Sequence, residues 1–339
     1  MIVTILKDIF ENDSNNRELD KLWYIIEERH KLFMNDEDDI DALMDSKWFE
    51  EQREIDKEII RDLIVWSLQN IEHLKNGVII SGQQNNNYFP IKEAQKYLIQ
   101  PFCIIFENSN NDSCFFDALL ANFPKESEKI REHKNENWME YGMAGGSAED
   151  IIETKLKSYS NPVFTKEKYK YLRCFVLADS DKKYKEMPFP KEKLKKFLEE
   201  HEVKYHFLEK REMENYLPDE AFEEIIDPKN KDFIEAYLKL SDKQKDYFDI
   251  QNGFPDKNFD SLEPEIKTLF RDISEENRKF FRKNSLKTIN SDSKNNFKSE
   301  FPKLFLSKKV TKENLLQKTS HQNDPNELKN ILKKITELL

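Results

Sequence analysis

The sequence predicts an α/β protein, a parallel sheet sandwiched by helices, with helical additions on its N-terminal and C-terminal sides. Mostly apolar runs at 102–106, 171–178 and 203–208 read as strands of a parallel sheet covered on both faces. Helix-like patterns at 115–123, 148–156 and 191–201 alternate with those runs, which is the α/β order. Three regions follow: 1–100, acidic and mainly helical; 101–228, the α/β domain; and 229–339, mainly helical and basic.

Residues 17–34 and 47–75 carry Leu19, Leu22, Trp23, Ile26 and later Ile55, Ile59, Ile60, Leu63, Ile64, Leu68 at the three-to-four spacing of one apolar helix face. The polar stretch 81–87, followed by Pro90, reads as a loop. Beyond Leu217, helical periods return at 222–226, 233–240, 266–281 and 328–339, and the Lys-, Ser- and Asn-rich segment Asn284–Lys298 is expected to be disordered.

Composition narrows the function. No run approaches the roughly 18 to 20 apolar residues of a membrane span, and no leader-like pattern opens the chain, so a cytoplasmic protein without membrane contact is expected. Cys103, Cys114 and Cys174 form no CxxC pair, and the six histidines show no ligand spacing, so any metal should be held by oxygen. The net charge of -11 conceals a gradient, from the acidic knot at Asp36–Asp41 to a basic stretch at Arg278–Lys318. That stretch reads either as an arm over phosphates or as a solvated tail.

Acidic residues follow two of the strand-like runs: Glu107 after 102–106, and Asp179 with Asp181 after 174–178. Ligands of open α/β sheets bind beyond the carboxyl ends of the strands, so the two signals point to one edge. Gathered carboxylates repel one another unless a cation neutralises them, and Mg2+ or Mn2+ takes such hard oxygen ligands. The plainer alternative is that Asp179-Ser180-Asp181 only turns the chain and caps a helix. Gly145, Gly146 and Ser147 could present backbone N–H groups to a phosphate, or form a tight turn with Ser147 as helix cap. Lys210 and Arg211 could touch phosphate or line a strand end.

The segments Ile104-Ile105-Phe106-Glu107, Asp112, Phe115-Phe116, Phe175-Val176-Leu177-Ala178-Asp179-Ser180-Asp181 and Lys210-Arg211-Glu212-Met213-Glu214-Asn215-Tyr216-Leu217 together resemble the Toprim domain. The closer likeness is to Toprim effectors of bacterial anti-phage defence that pair with an ABC-type ATPase, related to the overcoming-lysogenization-defect nucleases. It covers about a third of the chain. The pattern departs from that family at Asn108, where glycine is usual, and at Asp112, one position late.

The resemblance implies that 101–228 is a Toprim-like catalytic domain and that the protein is a magnesium-dependent antiviral nuclease acting on DNA or RNA, tRNA included. Its metal ligands would be Glu107, Asp112, Asp179, Asp181 and Glu214, with Lys210 and Arg211 assisting Glu107, Asp179 and Asp181 in catalysis. It implies a nucleic-acid substrate and an ATPase partner, and is compatible with a homo-oligomer. The rival reading is a non-catalytic Toprim-like subunit that docks on the ATPase. The nuclease reading requires Glu107 to stand beside Asp179 and Asp181 with no lysine or arginine filling the gap.

Overall fold

A computed structural model describes residues 1–70, 77–142, 147–159, 165, 168–254, 259–281 and 300–339. Asn284–Lys298, Gly145 and Gly146 lie outside the described residues. The chain divides into two compact units, one of 1–102, 159–173 and 337–339, the other of 103–158 and 174–336.

The first unit is mainly helical among its described residues, and it also contains a sheet that the apolar pattern did not show. It holds a four-stranded parallel sheet in the order β2-β1-β3-β4, with β1 Ile2–Ile5, β2 Lys31–Leu32, β3 Val78–Ile80 and β4 Tyr88–Phe89. These strands are only two to four residues long, too short to show a period of two, whereas the helices around them show theirs clearly. The helix Asn16–Arg29 buries Leu19, Leu22, Trp23, Ile25 and Ile26, and Glu54–Gln69 buries Ile60 and Ile64 against the same core. The expected helix at 47–75 is broken into Lys47–Glu51 and Glu54–Gln69, with 71–76 outside the described residues. The aromatic side chains of this acidic region mostly form core: Trp23, Phe33, Trp48 and Phe49 are buried, while Tyr24 is exposed.

Residues 159–173 return to this unit through polar anchors. Gln100 donates to the Tyr171 carbonyl (2.9 Å), Arg173 donates to the carbonyls of Leu98 (3.1 Å) and Gln100 (2.8 Å), and Tyr171 donates to Glu93 (2.5 Å). The Tyr171 ring meets Phe89 edge-on, which explains why this apolar end of the 171–178 run is not strand.

The second unit carries a sheet in the order β6-β5-β7-β8, with β5 Phe102–Ile105, β6 Met139–Gly142, β7 Cys174–Ala178 and β8 Lys204–Phe207. Strands β5, β7 and β8 run parallel, with Ile105 opposite Val176 and Ala178 opposite Phe207. Every residue of β5 and β7 is buried, as their unbroken apolar runs require. The helices Ser109–Asn122, Ala148–Tyr159 and Glu192–Glu200 follow β5, β6 and β7 in the chain. Residues 229–336 belong to this same unit and form no body of their own. The helix Glu327–Thr336 is tied to it by Glu327, which is fully buried and accepts from Tyr216 Oη (2.5 Å), Glu209 N (2.8 Å), His206 Nε2 (2.9 Å) and Gln322 Nε2 (3.0 Å).

Strand β6 fits beside β5 because Gly142 has no side chain. A Cβ there would stand 3.2 Å from Ile105 Cγ1, 3.3 Å from Cys103 Sγ and 3.3 Å from Ile151 Cγ2. Gly142→Ala is therefore expected to cost about 1–3 kcal/mol in denaturant unfolding through overpacking. An unchanged midpoint would mean that the neighbours yield without strain.

The described part of the basic stretch reads as structure. Lys303 pairs with Glu300, Lys309 with Glu223, Lys312 with Glu126 and Lys318 with Asp219, while the Arg278 guanidinium lies 3.7 Å from the Phe259 ring centroid. Cations already opposed by carboxylates offer less to a phosphate backbone.

Candidate active site

The tips of β5 and β7 place Glu107 and Asp179 side by side. Lys191 bridges Glu107 at the tip of β5 to Asp181 just beyond β7, and the Asp179 backbone favours the charged Glu107 carboxylate, so these residues, distant in sequence, meet at one sheet edge. The segment after β8 closes over that edge. Leu208 N donates to the Ala178 carbonyl (3.0 Å), Ser180 Oγ to the Lys210 carbonyl (2.6 Å), and Asp181 N to the Arg211 carbonyl (2.9 Å). Met213 N donates to Asp179 Oδ1 (2.8 Å), at the start of a 3-10 turn, Met213–Tyr216, that carries Glu214.

Asp112 approaches from the helix that follows β5. Its carboxylate accepts from Asn108 N (2.8 Å), and its own N–H donates to the Asn108 carbonyl (2.8 Å). Asp112 thus caps the helix start one position beyond that of a usual capping box. Asn108, at the position where glycine is usual in the resembling family, has φ -132 and ψ 85, so this turn does not use the left-handed conformation. That conformation occurs instead at Asp181, with φ 55.

Charge repulsion among these acids is strong. Desolvation first, then the charges of Asp112, Glu214, Glu107 and Glu212, push Asp179 well above the usual carboxylate range. Asp112 is pushed to about 7, by burial and by Glu214 and Glu107, against the opposing Asn108 N–H and Lys191. Glu212 is raised to about 8, chiefly by burial, with Arg211 opposing. Glu107 is also raised by burial, with Lys191 opposing.

Lys191 answers part of this charge. Its ammonium lies 2.7 Å from Glu107 Oε1, 2.6 Å from Oε2 and 3.0 Å from Asp181 Oδ2, with only 14% of the side chain exposed. Burial works against the charged amine, but Glu107, Asp179 and Asp181 outweigh it and raise its pKa. The gap between Glu107 and Asp181 is therefore filled by a lysine, which is the arrangement the three-carboxylate metal site could not contain. The sequence offers a partial signal for it, since Pro188 and Pro190 turn the chain immediately before Lys191. The surrounding lysines give no reason to choose it from sequence alone.

Two expected phosphate contacts are corrected. Lys210 is 1% exposed, ion-paired with Asp246 and set 5.3 Å from the Tyr216 ring centroid, so it is a core cation closed off from a substrate. Arg211 is held by Asp249 (2.6 Å) and Glu212 (3.1 Å). Its side chain lines a cavity of about 530 Å³ with Phe248, Phe254 and Phe270, which the acid cluster does not border. Ser147 takes the plainer of its two roles: its Oγ accepts from Asp150 N (3.2 Å) and its N–H donates to Asp150 Oδ2 (3.2 Å), a helix cap.

The oxygen-only set fits a hard divalent ion in chemical type, and its mutual repulsion is what such an ion relieves. Among the described residues, however, no group of three or more His, Cys, Asp or Glu side chains stands ready to hold one. Lys191 already occupies Glu107 and Asp181, so the described acids do not form a divalent-ion site as they stand.

Fold and site define an α/β protein with a carboxylate cluster at the carboxyl ends of parallel strands. No family model, no curated protein and no solved structure matches the chain. Among the described residues, no helix is long and apolar enough to cross a membrane.

Proposed function

We propose that the second unit is a Toprim-type nuclease that takes up Mg2+ or Mn2+ at Asp112, Asp179 and Glu214 and hydrolyses a nucleic-acid phosphodiester; the set of Glu107, Asp179 and Asp181 expected from the sequence is closed by Lys191 and is not the site of this reading. The observation that carries the reading is the meeting of Glu107, Asp112, Asp179 and Glu214 at one sheet edge, where burial and the charges of Glu107 and Glu214 hold the carboxyls of Asp112 and Asp179 above their ordinary range. Such clusters destabilise a fold and gather where charge has a task. A bound divalent ion would supply Lewis acidity toward the phosphate and a more acidic water. In this reading Asp112, Asp179 and Glu214 hold the ion, while Glu107 and Lys191 set the charge beside it.

Asp179→Asn and Asp112→Asn are each expected to lower magnesium-dependent cleavage by at least about 100-fold with the circular dichroism spectrum unchanged. The assay uses plasmid DNA, single-stranded DNA and total tRNA, with magnesium, with manganese and with chelator. Cleavage retained in the double variant sinks the assignment.

The lysine bridge favours a second reading, a Toprim-like subunit without chemistry that docks on a partner such as an ATPase. On that reading calorimetric titration with Mn2+ shows no saturable uptake, and Asp179→Asn leaves partner binding intact.

A further inference from the structure

We propose that the cavity of about 530 Å³ beside Arg211 is a binding site for a nucleobase, carried either by a free nucleoside or nucleotide or by an unpaired position of a single strand. None of Glu107, Asp112, Asp179, Asp181 and Glu214 lines it, so the inference stands apart from the acids at the strand tips and from the nuclease reading.

The space is of the size that encloses a small organic molecule, whereas gaps between packed side chains rarely exceed a water molecule. Phe248, Phe254 and Phe270 give it an aromatic wall. All three are buried, and their rings meet edge-on with centroids 5.0 to 6.2 Å apart. The helix Pro264–Leu269 contributes Ile266, and Leu262 precedes it; both line the cavity half-buried, and no residue of that helix is fully buried. Apolar side chains on a helix normally find cover in a core. Here a flat ring laid against the wall would supply it.

The lining charges cancel. Arg211 meets Asp249 at 2.6 Å and Lys183 meets Glu263 at 2.9 Å, so each cation bordering the cavity already stands on a carboxylate. A charged ligand would give up its hydration without finding an unmatched opposite charge, and the occupant that fits is neutral.

Two polar atoms at the Asp249 end decide between a plain apolar molecule and a base. Arg211 Nη2 and Asn252 Nδ2 both donate to Asp249 Oδ2, at 2.6 and 3.0 Å, which makes them neighbours. Arg211 Nε is taken by Glu212 (3.1 Å), while Arg211 Nη1 and Asn252 Oδ1 have no hydrogen bond among the described residues. Asn252 is fixed there by its own N–H on Asp249 Oδ1 (2.6 Å), and Gly253, with φ 58, donates to the Asp249 carbonyl (2.7 Å). The result is a donor and an acceptor side by side at the edge of an aromatic wall. An aliphatic ligand would leave both unbonded. Every nucleobase carries an acceptor next to a donor on its edge and offers a π face, and stacking with edge bonding is how unpaired bases are recognised.

The test is saturation-transfer NMR and titration calorimetry of the full chain with adenosine, guanosine, cytidine and uridine, their 5′-monophosphates and short single-stranded oligonucleotides. Sodium benzoate and benzamidine serve as an anionic and a cationic ring. At least one nucleoside is expected to bind saturably and more tightly than either charged ring. Ile266→Trp, which fills the cavity from the helix, is expected to abolish that binding, and Asn252→Ala to weaken it by about 5-fold with the unfolding midpoint unchanged.

A strand bound more tightly than its nucleoside supports the site and assigns the base to single-stranded nucleic acid; equal affinity supports it and assigns the base to a free nucleoside or nucleotide. No saturable binding by any of these, or binding that Ile266→Trp leaves intact, overturns the site. Tighter binding of benzoate or benzamidine overturns a neutral base as occupant, and full affinity in Asn252→Ala overturns the edge recognition. If Ile266→Trp fails to fold, Leu262→Trp, from the segment before the helix, makes the same block.

Discussion

Lys210→Met is expected to lower stability by about 3–5 kcal/mol, the largest loss from any single substitution considered for this protein. The lysine is closed off from solvent, pairs with Asp246, and lies over the ring of Tyr216, whose hydroxyl accepts from Lys210 N (3.2 Å). The other oxygen of Asp246 meets His321 Nε2 at 2.7 Å. Methionine preserves most of the volume but strips the carboxylate of its principal cation, and an under-compensated buried charge is far costlier than the pair is favourable. The expected result is a lower denaturant midpoint with an unchanged slope. Lys210→Met combined with Asp246→Asn should cost less than the sum of the single changes; strict additivity would show that the two side chains are not coupled.

Asp112→Asn is expected to stabilise the metal-free protein at neutral pH. The carboxyl of Asp112 is raised from its ordinary 3.8 to about 7, so the folded state holds this proton more tightly than the unfolded chain does. Stability from this group is complete below about pH 4 and is lost as the pH climbs through about 7. Asparagine keeps an oxygen for the Asn108 N–H, carries no charge, and relieves Asp179 of one of its repulsive neighbours. The variant should be near wild type at pH 4.5 and more stable by on the order of 1–3 kcal/mol at pH 8, in chelator. Urea unfolding of both proteins across that range is the measurement. A difference that does not grow with pH would show that the acids are not repelling one another.

The second unit's sheet was legible because burial on both faces leaves a plain mark: β5 and β7 come from apolar runs, and the acids that end them follow directly. The first unit's sheet was not legible. Two-residue strands such as Lys31–Leu32 and Tyr88–Phe89 have no periodicity, and Ile2–Ile5 looks no different from the start of an apolar helix face. Strand β6, with only Met139 and Gly142 buried, was missed for the same reason. The site itself was read in part. Glu107 and Asp179 meet as strand adjacency requires, whereas the fates of Lys191, Lys210 and Arg211 depended on long-range partners. Glu107 lies 84 residues from Lys191, and Asp246 lies 36 from Lys210. No local pattern tells an inward lysine from an outward one when both have polar neighbours.

The four donors held by Glu327 bear on when this protein becomes complete during its synthesis. Three of them, on His206, Glu209 and Tyr216, belong to β8 and the segment that folds over the acids, and they precede their acceptor by more than a hundred residues. A nascent chain can pair β5, β7 and β8 early, but the lid-side backbone between Leu208 and Tyr216 lacks its anchor until Glu327 has emerged from the ribosome. Loop closure over that distance is slow compared with local helix formation. The acids are thus brought to order late, only after the helix that carries Glu327 has been made.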